Sequence, residues 1–378
     1  MLALACAAGS AAGAESKRSV PQGYIGVVAD GPVFDQGIDF ERELDLMVGA
    51  GVESVRTVFD WDWAQPYRTF ADVPEPDRGR FRDEAGVPTD WAPTDRVVDA
   101  AARRGFRLLP VIVRSPRWAT SDPDRLIPPP GDTAAYGRFA GALVRRYGPG
   151  GAFWRERPDL KQVAIRRWQL WNEPDIPFFW PDRPFAPGYV GLLREASAAI
   201  RQADPGARVV LAGLTNDSWN ALEQVYRAGG RRHFDVVAVQ SFTRTIANYE
   251  RILALVRRTM RRHGDARKPL TVTELSWPSS LEHMVRRQGY EVTERGQARR
   301  VAAILPRLAK ARRRYRIEGL YWYTWMSYDA TDYDFDYAGL RRHNGGNPVP
   351  KPAFHAFRRA ALRLEGCRLK SVATRCDR

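Results

Sequence analysis

The chain alternates, eight times in succession, between a short run rich in β-branched and aromatic residues and a longer amphipathic stretch. The short runs are predicted as strands at residues 24–28, 52–59, 106–113, 163–171, 208–214, 234–240, 270–274 and 317–325. Several of the amphipathic stretches are followed by glycine, which is typical of the end of a helix. Because each intervening helix returns the chain to the same edge, this alternation predicts eight parallel strands.

Eight strand–helix units in one chain close most simply into a (β/α)8 barrel, the TIM-barrel class of α/β folds. An open, doubly wound sheet is the alternative, but no glycine-rich phosphate loop follows the first predicted strand. The segments after predicted strands are long, namely 60–93, 114–131, 172–187, 275–293 and 326–350. Barrels of this class build their active sites from such loops at the carboxyl ends of the strands, so we expect the site there.

The composition is that of a globular protein, with 378 residues of which 44% are hydrophobic and 27% charged. No linker or shift in composition divides the chain, and α/β barrels often exceed the average length of a domain. We therefore predict one barrel domain at 21–365, preceded by a signal-like or disordered segment at 1–20 and followed by a tail at 366–378.

The N-terminus resembles part of an export signal. Residues 2–14 are apolar or small, although the positively charged start of a secretory signal is missing. We predict a secreted or cell-envelope protein, with Cys6 as a candidate lipid anchor; a disordered Ala/Gly tail is the alternative. No other stretch approaches the roughly 18 apolar residues of a membrane span, so we expect no stable membrane insertion.

The C-terminal tail contains two cysteines, Cys367 and Cys376, nine residues apart. A disulfide between them would close a short loop and pin the tail, which suits an oxidising compartment. Two free thiols are the alternative. We predict the disulfide.

The chain is strongly basic, with 59 Lys and Arg against 44 Asp and Glu and a net charge of +15. Such a balance occurs in proteins that bind nucleic acids or other polyanions. Here the arginines come in pairs and triplets on helical stretches, such as 257–258 and 312–314. Since the helices of a barrel form its outer ring, we predict charge spread over solvated helix faces and no nucleic-acid partner. A polyanion binder is the alternative.

Two glutamates end predicted strands. Glu173 follows the fourth strand in the string Trp-Asn-Glu-Pro, and Glu274 ends the seventh in the string Thr-Val-Thr-Glu. The fourth and seventh strands of an eight-stranded barrel lie across a narrow mouth, so both carboxyl groups can reach one site. Glycoside hydrolysis needs one carboxylic acid to protonate the leaving oxygen and a second carboxylate to attack or to activate water. We predict Glu173 and Glu274 as catalytic residues; an ordinary strand-to-loop turn is the alternative for 171–174.

These strings resemble those of the retaining β-glycosidases of glycoside hydrolase clan A, in particular family 5 or family 39, and the resemblance extends from about residue 24 to residue 363. It implies a double displacement at O-glycosidic bonds of oligo- or polysaccharides, with Glu173 as acid/base and Glu274 as nucleophile. It also implies that Asn172 contacts the sugar 2-hydroxyl and that Arg56 holds the nucleophile ionised. An ion pair at the bottom of the barrel is the alternative for Arg56.

Asn172 and Glu173 are neighbours in the chain, and strict strand alternation would point only one of them inward. Both can serve only if a bulge or the strand end re-aims one of them. Physical chemistry supports the two roles of the glutamates, since an arginine lowers the pKa of Glu274 while an apolar pocket raises that of Glu173.

Aromatic residues are predicted to bind the sugar, because aromatic rings stack on the apolar faces of sugars. Trp325 resembles the aromatic floor that the family's eighth strand supplies, with Trp322 as the alternative. Trp61 belongs to the tryptophans of the long loops, which either form subsites or anchor the loops.

The sixth strand departs from the family's pattern. It commonly ends in His followed two places later by Tyr, whereas this chain has Gln240 and Phe242. Gln240 can still hydrogen-bond a sugar or a carboxylate, and Tyr323 or a tyrosine of the loops is a candidate for the place of the missing tyrosine. This departure favours, as an alternative, a catalytically weak or inactive barrel that binds carbohydrate.

The five histidines are scattered, and the sequence contains neither a His-Glu-x-x-His string nor a cysteine cluster. We therefore expect no metal and no cofactor. The expected partner is a carbohydrate substrate, and the expected oligomeric state is a monomer.

Overall fold

The structure, a computed structural model, describes residues 18–343 and 345–367. Its centre is a sheet of eight parallel strands, numbered β1 to β8 along the chain. They are β1 Ile25–Val28, β2 Ser54–Asp60, β3 Arg107–Val113, β4 Arg167–Leu170, β5 Arg208–Val210, β6 Val237–Gln240, β7 Leu270–Leu275 and β8 Ile317–Trp322. Their order in the sheet is β5-β4-β3-β2-β1-β8-β7-β6, and all neighbours are parallel.

The two ends of this order, β5 and β6, also meet. Parallel bridges join Val210 to Val236 and Leu214 to Val239. The backbone N–H of Gln240 donates to the carbonyl oxygen of Leu214 at 2.8 Å. The sheet is therefore nearly closed, and the predicted (β/α)8 barrel is confirmed.

A helix follows each barrel strand. The helices are α1 Phe40–Gly49, α2 Ala92–Arg104, α3 Thr133–Tyr147, α4 Phe185–Ala203, α5 Ser218–Arg227, α6 Ile246–Arg262, α7 Glu294–Tyr315 and α8 Pro352–Glu365. Asp39, Asp132, Thr245 and Thr293 cap four of them, each accepting a hydrogen bond from the backbone N–H three residues on. Gly105 ends α2 at a φ of 71°, a conformation that favours glycine.

Most of the smaller elements lie in the loops after the strands. Helical turns occur at Gly31–Phe34, Trp61–Ala64, Phe70–Asp72, Glu75–Arg80, Arg117–Ala119 and Asp334–Tyr337, and on the other side of the barrel at Ala152–Glu156 and Gly230–His233. A hairpin pairs Arg82–Glu84 with Val87–Thr89, and a small sheet joins Met326–Ser327, Arg341–Arg342 and Val349–Pro350. These elements build up the face on which the site is expected.

Two separate hydrophobic clusters stabilise the barrel. The large one lies between the strands and the helices and contains six fully buried tryptophans. The small one consists of Val28, Leu109, Val210, Val236, Ala238 and Tyr321. It fills the barrel interior, because side chains alternate along each strand between the two faces. Polar side chains complete this interior toward the carboxyl ends of the strands, where the site lies.

Two predicted strands are longer than the observed ones. Pairing in β4 begins only at Arg167, and regular pairing in β5 ends at Val210. Past Val210 the chain runs close to the side chain of Gln240: a Cβ on Gly213 would lie 1.4 Å from Gln240 Oε1. Gly213 is needed for this close approach, which brings Gln240 into the site.

The predictions for the two termini concern residues outside the described part of the chain. These are most of the signal-like segment, including Cys6, and Cys376 of the expected disulfide with Cys367. Export, lipid anchoring and the disulfide therefore stay predictions. Within residues 18–343 and 345–367, no helix is long and apolar enough to cross a membrane.

The prediction that the positive charge is spread over solvated helix faces is incomplete, because some of the arginines converge on one cavity. Seven of them line one cavity of about 1050 Å³ at the amino ends of the strands: Arg107, Arg166, Arg167, Arg208, Arg312, Arg313 and Arg316. Three of these begin β3, β4 and β5, and the last turn of α7 lies beside them. The sequence pattern of single helices could not show that these elements converge.

Candidate active site

A second cavity, of about 690 Å³, opens at the carboxyl ends of the strands, on the face with the long loops. Its polar lining residues are Asp30, Arg56, Asn172, Glu173, Thr215, Asn216 and Glu274. Both predicted catalytic glutamates thus share one cavity at the predicted end of the barrel. Among its described lining residues, the basic cavity at the opposite end has a single carboxylate, Glu318, and we therefore place the candidate site at the carboxyl ends.

Glu274, in β7, forms a buried ion pair with Arg56, in β2. Arg56 Nη1 donates to Glu274 Oε1 at 2.8 Å, and the two side chains are only 4% and 10% exposed. Burial raises the pKa of Glu274 to about 7, with the charge of Asp30 adding to the rise and that of Arg56 opposing it. Arg56 thus favours the carboxylate form, but the effect of burial is larger, and the pKa of Glu274 lies above its ordinary value and not below it as the sequence suggested.

Arg56 is held in one orientation by several acceptors. Its Nε donates to Gln169 Oε1 at 2.8 Å. Its Nη2 donates to Asn172 Oδ1 at 2.8 Å and to Gln240 Oε1 at 3.3 Å. Because the side-chain oxygen of Asn172 accepts from Arg56, the amide NH₂ of Asn172 is the group that can donate to a ligand.

The backbone around Glu173 explains how two neighbouring residues both reach the cavity. Trp171 has a φ of 71° and Glu173 a φ of 40°, so the chain leaves the β conformation directly after β4. Strand alternation ends there, and Asn172 and Glu173 both line the cavity. Trp171 is fully buried, and its Nε1 donates to the carbonyl oxygen of Phe179 at 3.1 Å, which fixes the turn. The end of the strand thus turns both side chains toward the cavity, which the sequence required if both are to serve in the site.

Glu173 lies in surroundings that favour its protonated form. Burial raises its pKa well above the ordinary value, and the negative charges of Glu274 and Asp175 raise it further. Arg56 and a hydrogen bond from Gln240 act in the opposite direction. Glu173 is therefore suited to donate a proton at neutral pH.

Gln240 connects the two glutamates. Its Nε2 donates to Glu173 Oε1 at 3.0 Å, and its Oε1 accepts from Arg56 and, at 3.2 Å, from Thr273 Oγ1. A register shift between β6 and β7 sets Gln240 opposite Glu274. Gln240, the residue that departs from the family's pattern, thus bonds both Glu173 and the arginine that binds Glu274.

Tyr323 and Phe242 also line the cavity, with ring centroids 6.1 Å apart. Burial raises the pKa of the Tyr323 hydroxyl well above its usual range, and the charges of Asp30 and Glu274 add to this rise. This position agrees with Tyr323 as the candidate for the missing tyrosine.

Asp30 was not predicted as a site residue. It follows β1 by two positions, lines the cavity, and accepts a hydrogen bond from Thr324 Oγ1 at 3.1 Å. Burial raises its pKa, and Arg56 opposes that rise. The available signal was a carboxylate directly after a predicted barrel strand, the criterion that identified Glu173.

Trp325 lies outside the cavity, contrary to the prediction that it forms the floor. It is fully buried, its Nε1 donates to Glu43 Oε2 at 2.8 Å, and its ring packs on Phe354. The alternative, Trp322, is also fully buried and belongs to the cluster beneath the helices. Alternation along β8 directs Tyr321 to the interior, and therefore Trp322 to the helices.

Trp61 is likewise a core residue and not a sugar platform. It is fully buried, its Nε1 donates to Gln65 Oε1 at 2.8 Å, and its ring stacks on Phe139. The aromatic residues that do line the cavity are Phe178, Phe179, Phe242, Tyr290, Tyr323, Tyr333 and Phe335. In the described part of the chain, no three His, Cys, Asp or Glu side chains are grouped so that they could hold a metal ion.

Comparisons with known proteins agree with this fold. No family model matches the sequence, and no curated protein matches it. A family 39 glycoside hydrolase from the gut symbiont Bacteroides cellulosilyticus WH2 has a similar structure, with a TM-score of 0.62 and 20% identity over 92% of this chain. A glucosidase from Croceicoccus marinus has a TM-score of 0.63 and 18% identity over 92% of this chain. A monomeric beta-xylosidase from Caulobacter crescentus CB15 has a TM-score of 0.62 and 16% identity over 91% of this chain.

At these identities the likeness shows the fold. The match covers 64%, 68% and 69% of the three proteins' own chains, so this chain spans about two thirds of their length. Each of the three is described as a glycoside hydrolase or a glycosidase.

Proposed function

We propose that the protein is a retaining glycoside hydrolase that cleaves β-configured O-glycosidic bonds by double displacement, with Glu173 as acid/base and Glu274 as nucleophile. The observation that carries the proposal is the pair of buried glutamates in one cavity, held differently: Glu274 by Arg56 and Glu173 by Gln240. The fold shared with a glucosidase and a beta-xylosidase supports it, and makes β-glucosides and β-xylosides the first substrates to test.

In the first step, Arg56 binds one oxygen of Glu274, and the other oxygen attacks the anomeric carbon. As the glycosidic bond breaks, Glu173 gives its proton to the leaving oxygen, and the alcohol departs. The sugar is then bound to Glu274 as an ester. Because Asn172 Oδ1 accepts from Arg56, the amide NH₂ of Asn172 donates to the sugar 2-hydroxyl in this proposal.

In the second step, the protonation of Glu173 reverses. Esterification removes the negative charge of Glu274, one of the groups that raise the pKa of Glu173, so that pKa falls and Glu173 becomes a carboxylate base. Glu173 takes a proton from water, the water oxygen bonds to the anomeric carbon, and Glu274 leaves as a carboxylate. Two displacements at one carbon restore its original configuration.

The stereochemical outcome tests this proposal. Proton NMR of the first minutes of hydrolysis of an aryl β-glycoside should show the β-anomer of the free sugar before mutarotation. Early appearance of the α-anomer would mean direct attack by water, and Glu274 would then be a base and not a nucleophile.

The rate should fall at acidic pH because Glu274 becomes protonated. Glu274 must be ionised, and its pKa of about 7 predicts that kcat/KM falls as the pH drops below about 7. Removing the cation in Arg56→Met should raise the pKa of Glu274, so the acidic limb moves to higher pH, whereas Arg56→Lys should move it less. A pH–rate profile of the three proteins checks this, and identical acidic limbs would contradict the role given to Arg56.

Replacing Gly213 by alanine should disturb the site without altering a reacting group. The new Cβ would lie 1.4 Å from Gln240 Oε1, so Gln240 must move and lose its hydrogen bonds to Glu173 and Arg56. We expect a fall of about tenfold in kcat/KM and of roughly 1–3 kcal/mol in the free energy of unfolding. Gly191→Ala is the matched control, because a Cβ there meets nothing within 4 Å. Equal rates in the two variants would show that Gln240 is dispensable.

A further inference from the structure

We propose that the leaving group accepted beside Glu173 is an apolar aglycone, an alkyl or aryl group, and not a second sugar. This inference rests on the proposed function, because it concerns the subsite next to the acid/base. It is carried by the chemistry of the cavity walls, by the partners of the polar groups among them, and by the distribution of exposed apolar side chains over the molecule.

The cavity is polar only in part of its lining. Of the nineteen lining residues, twelve are valine, isoleucine, phenylalanine or tyrosine. The charged groups Asp30, Arg56, Glu173 and Glu274 come from positions at or directly after barrel strands, where the sugar reacts. The other lining residues are therefore largely apolar, with the tyrosine hydroxyl groups as the exceptions, and they offer few hydrogen-bond partners to the hydroxyl groups of a second sugar.

The wall next to Glu173 follows that residue directly in the chain. The backbone N–H of Ile176 donates to the carbonyl oxygen of Glu173 at 3.1 Å, and that of Phe179 to Ile176 at 3.2 Å, so these residues form a tight turn. Arg125 Nη2 donates to the carbonyl oxygens of Pro177 and Phe178 at 2.7 and 2.9 Å. These bonds fix an apolar surface on the side where Glu173 protonates the leaving oxygen.

A second wall consists of Phe242, Tyr333 and Phe335. The ring centroid of Phe335 lies 4.5 Å from that of Phe242 and 5.5 Å from that of Tyr333. Burial, followed by the charges of Glu173 and Glu274, raises the pKa of Tyr333 to about 12, so Tyr333 lies within electrostatic reach of both catalytic carboxyls. These rings line the same cavity as Glu173 and Phe178.

Two of the neutral polar side chains that line the cavity, Thr215 and Asn216, already use their side-chain oxygens in hydrogen bonds within the protein. Thr215 Oγ1 donates to Asp175 Oδ2 at 2.5 Å, and Asn216 Oδ1 accepts from the backbone N–H of Phe242 at 2.6 Å. These bonds hold the loop after β5 and leave few groups for the hydroxyls of a sugar. A polar aglycone would lose its hydrogen bonds to water without full replacement.

Exposed apolar side chains occur on this face of the barrel. The described residues include eight large hydrophobic side chains that are exposed, and all eight lie in a barrel strand or in a loop that follows one. Val58, Phe178 and Tyr333 also line the cavity, and Phe178 and Tyr333 are 50% and 59% exposed. These three side chains form an exposed apolar surface at the mouth of the site, and such a surface indicates a ligand that covers it.

A series of alkyl glycosides tests the inference, since methyl, hexyl and octyl alcohols are similar leaving groups that differ in apolar area. For β-D-glucosides, or β-D-xylosides if these are preferred, kcat/KM should rise by at least about 30-fold from methyl to octyl, below micelle-forming concentrations. The octyl glycoside should also be cleaved faster than cellobiose or xylobiose.

Phe178→Ser should lower the octyl-to-methyl ratio of kcat/KM about tenfold, because it removes part of the apolar wall. Trp63→Ser is the matched control, since Trp63 is exposed on the same face but does not line the cavity. The inference would be overturned if the octyl-to-methyl ratio of kcat/KM were near one in the parent protein or equal in the two variants. It would also be overturned if the disaccharide were cleaved faster than the octyl glycoside. Failure to hydrolyse any aryl or alkyl glycoside would instead overturn the proposed function, and this inference with it.

Discussion

Replacing Glu274 by glutamine should lower kcat/KM for an aryl β-glycoside by at least about a thousandfold, a loss of roughly 4 kcal/mol of transition-state stabilisation. The amide has nearly the shape of the carboxylate, and its oxygen can still accept the hydrogen bond from Arg56. The amide is not a competent nucleophile, so no glycosyl-enzyme can form. The measurement is steady-state hydrolysis, followed by the release of the aryl alcohol.

Glu318→Gln is a suitable control, because Glu318 lies in β8 at the opposite end of the barrel. There Glu318 Oε2 accepts a hydrogen bond from Arg208 Nη1 at 2.9 Å. Its substitution makes the same chemical change far from the site and should leave the rate near that of the parent. Near-parental activity of Glu274→Gln, in a protein that unfolds at the same temperature as the parent, would remove Glu274 from the mechanism.

Glu173→Gln should have an effect that depends on the leaving group. For an alkyl or unactivated aryl glycoside we expect a loss of about a thousandfold, because no acid remains to protonate the departing oxygen. For a dinitrophenyl glycoside, whose leaving group needs no proton, the first step should persist and the glycosyl-enzyme should accumulate. Added azide should then raise the rate and yield a β-glycosyl azide, since azide needs no base.

This pattern distinguishes Glu173 from Glu274. Glu274→Gln should be equally inactive toward every leaving group and insensitive to azide. If the two variants gave the same dependence on the leaving group, the assignment of acid/base and nucleophile to the two residues would be wrong.

The architecture and the meeting of the two glutamates in one cavity could be predicted, because both depend on patterns that are local in sequence. Strand and helix periodicity identified all eight units, and the strings around Glu173 and Glu274 lie at strand ends. That Asn172 and Glu173 both line the cavity could be learned only from the structure. It depends on the backbone conformation at Trp171, where φ is 71°. A sequence shows that alternation must break there, but not how.

The tryptophans show why the lining of the cavity was harder to predict. Trp61 and Trp325 satisfy their indole N–H groups with Gln65 and Glu43 in the core. Glu43 comes close to Trp325 only after folding, whereas Gln65 lies just four residues after Trp61. In both cases the residue type alone does not distinguish a core tryptophan from one that stacks on a sugar. Phenylalanine and tyrosine line the site instead, and this difference is the basis of the inferred apolar aglycone.

Charge was misjudged for a related reason. Each arginine-rich helix looks solvated when taken alone, yet the end of α7 and the first residues of three strands meet around one cavity. Asp30, in contrast, could have been found, since it follows a barrel strand as Glu173 does.

The most direct test of the account is to trap the glycosyl-enzyme with an activated 2-deoxy-2-fluoro-β-glycoside and locate the label by peptide mass spectrometry. The account predicts one fluoroglycosyl group per chain, esterified to Glu274, with activity lost in proportion to labelling. A label on another residue, or turnover that continues without any label, would contradict it.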